Sequence, residues 1–177
     1  DQELFNMDIT FVDTAFFRVF TFEFVEGSNS LTDKTNVVIS DQQAKKYFGN
    51  ESAVGKKLIQ VLDSGRTKQF TVTGVYRLPQ INSSFNDPAF TNFLNQFDTD
   101  PTTDYSENSW KYRVTLFLTV EDPSRLSAIS EQLKPYTENN NKVREDFIIR
   151  DFVLDSFLGM AVRDEYDDIP GTWTRSG

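Results

Sequence analysis

The sequence predicts an α+β fold of two lobes, a β-rich central lobe and a βαβ lobe. Three observations carry this expectation. Short apolar and alternating runs recur between residues 21 and 76, with one well-capped helix among them. A strand–helix–strand pattern occupies 110–154. Between the two, 77–109 is irregular, with Pro79, Pro88 and Pro101 set among many Asn, Asp, Ser and Thr residues.

Residues 4–12 (LFNMDITFV) read as a strand with imperfect alternation, and Asp13 and Thr14 are placed to cap a short helical turn over AFFRVF. TFEFVEG then alternates Phe22 and Phe24 with Thr21 and Glu23, a half-buried strand ended by Gly27. SNSLTDKTN (28–36) has the composition of a loop. VVIS (37–40) is a short apolar strand whose Ser40 suits a helix N-cap, with Gln43 completing a capping-box pattern. The following helix, 41–48, places Ala44, Tyr47 and Phe48 on one face, and Gly49 fits its C′ position. Two strands at about 57–62 and 67–76 flank DSGR (63–66), whose Gly supplies the positive φ of a hairpin connection. Gly74, inside the second strand, marks a bulge or a close backbone approach.

In the irregular part, 87–97 (DPAFTNFLNQF) predicts a short helix: Asp87 caps it and Pro88 suits its first position. Phe90, Phe93, Leu94 and Phe97 then fall on one face. That stripe either faces the core or meets a partner, so Phe90, Phe93 and Phe97 are the candidate contact residues. From Trp110 onward, Tyr112, Val114, Leu116, Leu118 and Val120 alternate with more polar positions as a strand. Asp122-Pro123 starts a helix with Leu126, Ile129 and Leu133 as its buried stripe, and Pro135 limits it. FIIRDFVL (147–154) reads as the closing strand.

Composition narrows the chemistry. The 177 residues suffice for one good core, or two small ones sharing an interface, and 17 Phe favour well-filled ones. A net charge of −9 without a basic stripe argues against nucleic acid and anionic membrane surfaces as partners. The absence of His excludes a Ser-His-Asp triad and a His-liganded zinc site. The absence of Cys excludes thiol catalysis, Cys-based metal sites and disulfides. The longest apolar run, FLGMAV (157–162), is far short of a membrane span. The opening DQELFNMD is not a signal peptide, so the chain reads as a domain whose anchors lie outside it.

Several motifs have a plain structural reading. AVGKKL (53–58) lacks the upstream Gly and the Ser/Thr of a phosphate loop and enters a strand, which makes it a turn. Asp98, Asp100, Asp104 and Glu107 miss the spacing of a calcium loop and are interrupted by Pro101. Asp164, Glu165, Asp167 and Asp168 read as a charged, exposed segment rather than a catalytic carboxylate pair. Trp110 and Trp173 read as packing residues, with a membrane-interface position open to Trp173.

Five signals occur in one order: VDTAFF (12–17), a Phe-rich run closed by Gly27, VVIS, AKKYFG with AVGKKL, and FTVTGV (70–75). In this order they resemble the MacB-like periplasmic core domain of MacB/FtsX-type ABC transporter permeases. Ala44, Phe48 and Gly49 match its A-x-x-x-FG helix, Gly55 and Lys56 its Gly-Lys element, and Val72, Gly74 and Val75 its VxGV strand. One departure is visible: only about ten residues precede Val12, where the family places a further strand–helix unit.

The resemblance implies a central, sabre-like lobe over 13–109 and a porter-like lobe from 1–12 and 110–156. Residues 157–177 would return toward the membrane. It further implies a non-catalytic, extracytoplasmic domain of an inner-membrane protein that couples ATP-driven helix movement to efflux or extrusion. No cofactor or metal is expected. The implied partners are a cytoplasmic ATPase subunit or domain, a second permease protomer and a periplasmic adaptor, with the isolated domain monomeric. The rival expectation is a free-standing ligand-binding module, which requires a deep pre-formed pocket with converging polar groups. A hydrolase, third, requires two buried carboxylates of raised pKa in one cleft.

Overall fold

The computed structural model describes residues 6–62, 65–79, 85–99, 115–142 and 148–158. The chain divides into two compact units, Asp1–Thr119 and Val120–Gly177. The first holds a six-stranded mixed sheet: β1 (Thr10–Val12), β2 (Phe24–Gly27), β3 (Asn36–Ser40), β4 (Lys57–Val61), β5 (Thr67–Tyr76) and β6 (Ala89–Asn92). Their order is β1-β6-β3-β5-β2, with β4 also on β5. The pairs β1–β6 and β3–β5 are parallel and the others antiparallel, so the fold is α+β as expected.

β3 lies between β6 and β5, which explains why VVI is apolar without alternation: both faces of the strand are covered. Val37 and Ile39 join a core with Phe70, Val72, Val75 and Ala89, against which Ala44 and Phe48 of α2 (Asp41–Phe48) pack. Val38 points the other way into a second core with Val12, Phe16, Leu31, Tyr76 and Phe90. Phe16 and Phe17 of α1 (Phe16–Val19), with Phe20, Phe22, Phe24 and Phe85, complete this second core. The abundance of Phe is thereby accounted for by an aromatic layer in which ring centroids stand 4.5 Å (Phe20–Phe85) to 6.3 Å (Phe24–Tyr76) apart.

Most local signals of this unit are observed as predicted. The Ser40 Oγ accepts the Gln43 N–H at 3.3 Å, and Gly49 ends α2 with φ 62°. The return bond of a capping box is absent, because the Ser40 N–H donates to the Pro88 carbonyl within the sheet. β4 and β5 form the predicted hairpin, and Gly65 takes φ 73° in its connection. At Gly74 both expectations hold. Opposite β3 the register steps from Val37↔Val72 to Val38↔Gly74, leaving Thr73 as the extra residue of a bulge. The bulge moves Val75 onto the face of Val72 and sends Tyr76 into the aromatic core. Thr73 is well bonded there: its carbonyl accepts the Ser28 N–H at 2.9 Å and its hydroxyl donates to the Ser30 carbonyl at 3.0 Å.

Two elements of this unit differ from expectation. The predicted helix over 87–97 is replaced by β6, a 3-10 turn at Phe93–Asn95 and α3 (Gln96–Thr99). Asp87 caps nothing there; its carboxylate accepts the Thr10 hydroxyl and its backbone carbonyl the Tyr76 hydroxyl. The predicted strand at 4–12 is reduced to β1 among the described residues, and β1 takes its backbone partner from β6.

In the second unit the described regular structure is a 3-10 turn at Pro123–Arg125 running into α4 (Leu126–Asn141). The Asp122 carboxylate accepts the Ser124 N–H at 3.0 Å, as its position before Pro123 predicts. Pro135 does not end the helix but lies inside it, at the cost of one backbone hydrogen bond. Ile129 and Leu133 are half-buried whereas Leu126 is exposed. The described parts of the two flanking predicted strands, 115–120 and 148–154, are not strands. At the second, Asn141 substitutes for a strand neighbour: its amide exchanges two hydrogen bonds of 2.8 Å with the Ile149 backbone.

Candidate interaction surface

The three candidate contact residues separate by element. Phe90, in β6, is fully buried between Phe16 (5.1 Å) and Tyr76 (5.5 Å) and presents nothing to a partner. Phe93 is half-buried and Phe97 is 37% exposed; they meet edge-to-face at 5.6 Å. Leu94 beside them is 51% exposed. The apolar stripe read as one helical face is therefore split between the core and an outer patch.

A polar cluster holds that patch in place. Asn92 caps the turn, accepting the Leu94 N–H at 2.9 Å while its amide donates to the Leu31 carbonyl at 2.7 Å. Asn95 is fully buried and satisfied: it donates to the Lys34 carbonyl at 2.9 Å and the Thr91 hydroxyl at 2.8 Å, and accepts from the Lys68 ammonium. Asp98 is clamped by Lys34 at 2.6 Å and Lys68 at 2.7 Å. The hydrogen bonds from Lys34 and then Lys68 hold its carboxyl below the usual carboxylate range. This cluster could be recognised in the sequence only as loop composition, because its members come from three separate segments, 31–34, 68 and 91–98.

The other motifs fall where a structural reading puts them. AVGKKL is a turn into β4: Gly55 takes φ 83° and its N–H donates to the Val72 carbonyl at 2.8 Å. Lys56 pairs with Glu51 at 2.7 Å. Of the calcium-like acids only Asp98 is among the described residues, and lysines occupy its carboxylate. Asp100, Asp104, Glu107, Trp110, Trp173 and the acidic run 164–168 lie outside them. No group of three or more metal-ligating side chains occurs among the described residues. The buried polar side chains there are Ser40, Thr91, Asn92 and Asn95, none a carboxylate. A notch of about 200 Å³ is lined by Thr21, Phe22, Glu23, Arg77, Leu78 and Pro79. It is smaller than the roughly 300–1,000 Å³ of small-molecule sites. Its charged groups, Glu23 and Arg77, pair with each other at 3.0 Å and are 64% and 52% exposed.

Residues 1–136 match the MacB-like periplasmic core domain family. The chain belongs to that family. It is thus the extracytoplasmic domain of a MacB/FtsX-like ABC transporter permease, and none of its described helices is long and apolar enough to cross a membrane. Among solved structures, the domain of a putative permease from Porphyromonas gingivalis is similar with a TM-score of 0.56 at 22% identity, over 81% of this chain. This chain spans 65% of that structure. The extracellular domain of the noncanonic ABC-type transporter YknZ from Gram-positive bacteria gives 0.48 at 18% identity, over 77% of this chain and 66% of its own. The periplasmic region of MacB from Actinobacillus actinomycetemcomitans gives 0.47 at 17% identity, over 72% and 56%. No curated protein sequence matches the chain.

Proposed function

We propose that this domain couples ATP-driven movement of membrane helices to substrate or partner handling during efflux or extrusion. In the intact permease it works with a cytoplasmic ATPase subunit or domain, a second permease protomer and a periplasmic adaptor. The observation that supports this reading is the family match over residues 1–136. The reading includes a lobe over 13–109, a second lobe containing 110–156, and a segment 157–177 leading back to the membrane. The domain's own part is to bind and transmit force rather than to catalyse, with the Phe93–Phe97 patch as a contact for a partner. That patch suits the task because the Asn95 and Asp98 bonds anchor it to β5.

The test is made in the intact permease. Phe97→Glu should leave ATP hydrolysis by the transporter and the fold of this domain unchanged while export falls at least several-fold. Full export by a permease lacking residues 13–156 would remove the coupling role altogether. Normal export by Phe97→Glu and Phe93→Asp would remove the contact role alone.

A further inference from the structure

Among the described residues the sheet has three edges, β1, β2 and β4, and they are not equally protected. β1 is three residues long, and β2 is four residues long and broken by a register shift between Phe24 and Glu26. β4 (KLIQV) is five residues long, paired to β5 without a register shift, and contains neither Pro nor Gly. Natural edges are usually blunted by shortness, bulges, Pro or charge, and β4 has only Lys57.

The pairing to β5 decides which backbone groups point outward. The Leu62 N–H donates to the Arg66 carbonyl, and the Lys56 carbonyl accepts the Val72 N–H. Bonded positions in an antiparallel pair alternate, so Lys56, Leu58, Gln60 and Leu62 face β5. The N–H and C=O groups of Lys57, Ile59 and Val61 therefore point to the outer edge. The side chains of these same residues lie on the exposed face, Ile59 54% and Val61 59% accessible.

We infer that β4 is a self-pairing edge, joining antiparallel to β4 of a second copy of this chain across a two-fold axis at Ile59. In that register every outward N–H and C=O of residues 57, 59 and 61 meets a partner. Ile59 faces Ile59 of the second copy, and Lys57 faces Val61. No like charges are opposed. The two Lys57 ammonium groups are separated by four residues of strand, roughly 13 Å, beyond the Debye length of about 8 Å at physiological salt. Lys57 is in addition drawn toward β5, away from the outer edge, by the Thr71 hydroxyl 2.7 Å away. A single short strand pair covers far less than the roughly 1,600 Å² of a standard stable interface, so the association is weak. The dilute chain stays monomeric, and pairing follows concentration or tethering.

The full chain is studied by sedimentation equilibrium and by amide chemical shifts over a concentration series. The average mass should rise with concentration, with the largest shifts at Lys57, Ile59 and Val61. Ile59→Pro removes an outward N–H and the apolar side chain at the two-fold axis without taking a bond from β5, and should abolish the rise while the β5 amides stay protected. Val61→Lys should weaken the association and Val61→Glu should tighten it, each by about fivefold, because residue 61 faces Lys57 of the other copy. A mass that stays monomeric at the highest soluble concentration and high salt overturns the inference. So does a dimer in which Val61→Lys and Val61→Glu act in the same direction, even where Ile59→Pro proves too unstable to use.

Discussion

The Ser28 carbonyl oxygen stands over Gly74 so closely that a Cβ on residue 74 would lie 2.2 Å from it. Gly27 is in the same position toward the Thr73 carbonyl, also at 2.2 Å and with φ 65°. The two glycines let β2 cross the β5 bulge in direct backbone contact. Gly74→Ala should therefore cost about 3 kcal/mol in chemical denaturation, near the upper end of ordinary single substitutions. Gly49→Ala, with φ 62° and ψ −117° but nothing within 4 Å of the added carbon, should cost less, about 1–2 kcal/mol of backbone strain alone. Equal losses at the two positions would contradict the close approach.

Phe90 and Phe97 should likewise part in stability. Phe90 is fully enclosed by aromatic rings, so Phe90→Ala should cost about 3–5 kcal/mol. Phe97 is partly in solvent, and Phe97→Ala should cost about 1 kcal/mol or less. Denaturation midpoints of the two variants measure the difference directly.

That contrast shows where the sequence was readable. The α2 cap, the Gly49 end and the β4–β5 hairpin rest on residues adjacent in the chain, and such local chemistry carries its own signature. β6 does not. It lies between β1 and β3, so all four of its residues are buried and no alternation marks it as a strand. Phe90 and Phe93 happen to continue at helical spacing into Leu94 and Phe97, and Pro88 suits the entry to either element. α4 overrode its proline for a different reason: the rest of the helix contributes enough bonds to absorb one missing N–H. At the candidate surface, the outward position of Phe97 was compatible with the sequence. The Lys34–Asp98–Lys68 clamp was not legible, because tertiary pairing alone brings Lys34 and Lys68 to Asp98.

The clamp gives a pH dependence. Asp98 has a lowered folded-state pKa, so its contribution is present above the unfolded carboxylate value, about 3.9, and is lost as pH falls through the folded value. Its side chain is 42% exposed, and solvent screening limits the contribution to about 0.5–1 kcal/mol. Asp98→Asn should destabilise the chain by that amount at neutral pH and by nothing once the pH is well below the folded value. Parallel stability curves of the two proteins across the acid range would contradict it.

Tyr76 supplies the opposite sign. Burial, reinforced by the Asp87 and Asp41 carboxylates, pushes its phenol well above the ordinary tyrosine range. The stabilisation is complete below the unfolded value of about 10 and is lost as pH rises through the folded value. In an alkaline titration followed by ultraviolet difference absorbance, Tyr76 should ionise only together with unfolding. Tyr76→Phe should remove that last step. An unchanged final step in this variant would show that another tyrosine is responsible.

The position of β6 has a consequence for synthesis. The strand that fills the middle of the sheet is the last to be made: Thr10 must wait for Phe90, and the β3 edge beside Val38 stays open until Ala89 and Phe90 arrive. A nascent chain that has emerged only as far as Pro79 can build the β3–β5–β4 core but leaves one side of β3 unpaired. Premature termination before residue 89 should thus yield a chaperone client and protease substrate rather than a smaller stable domain.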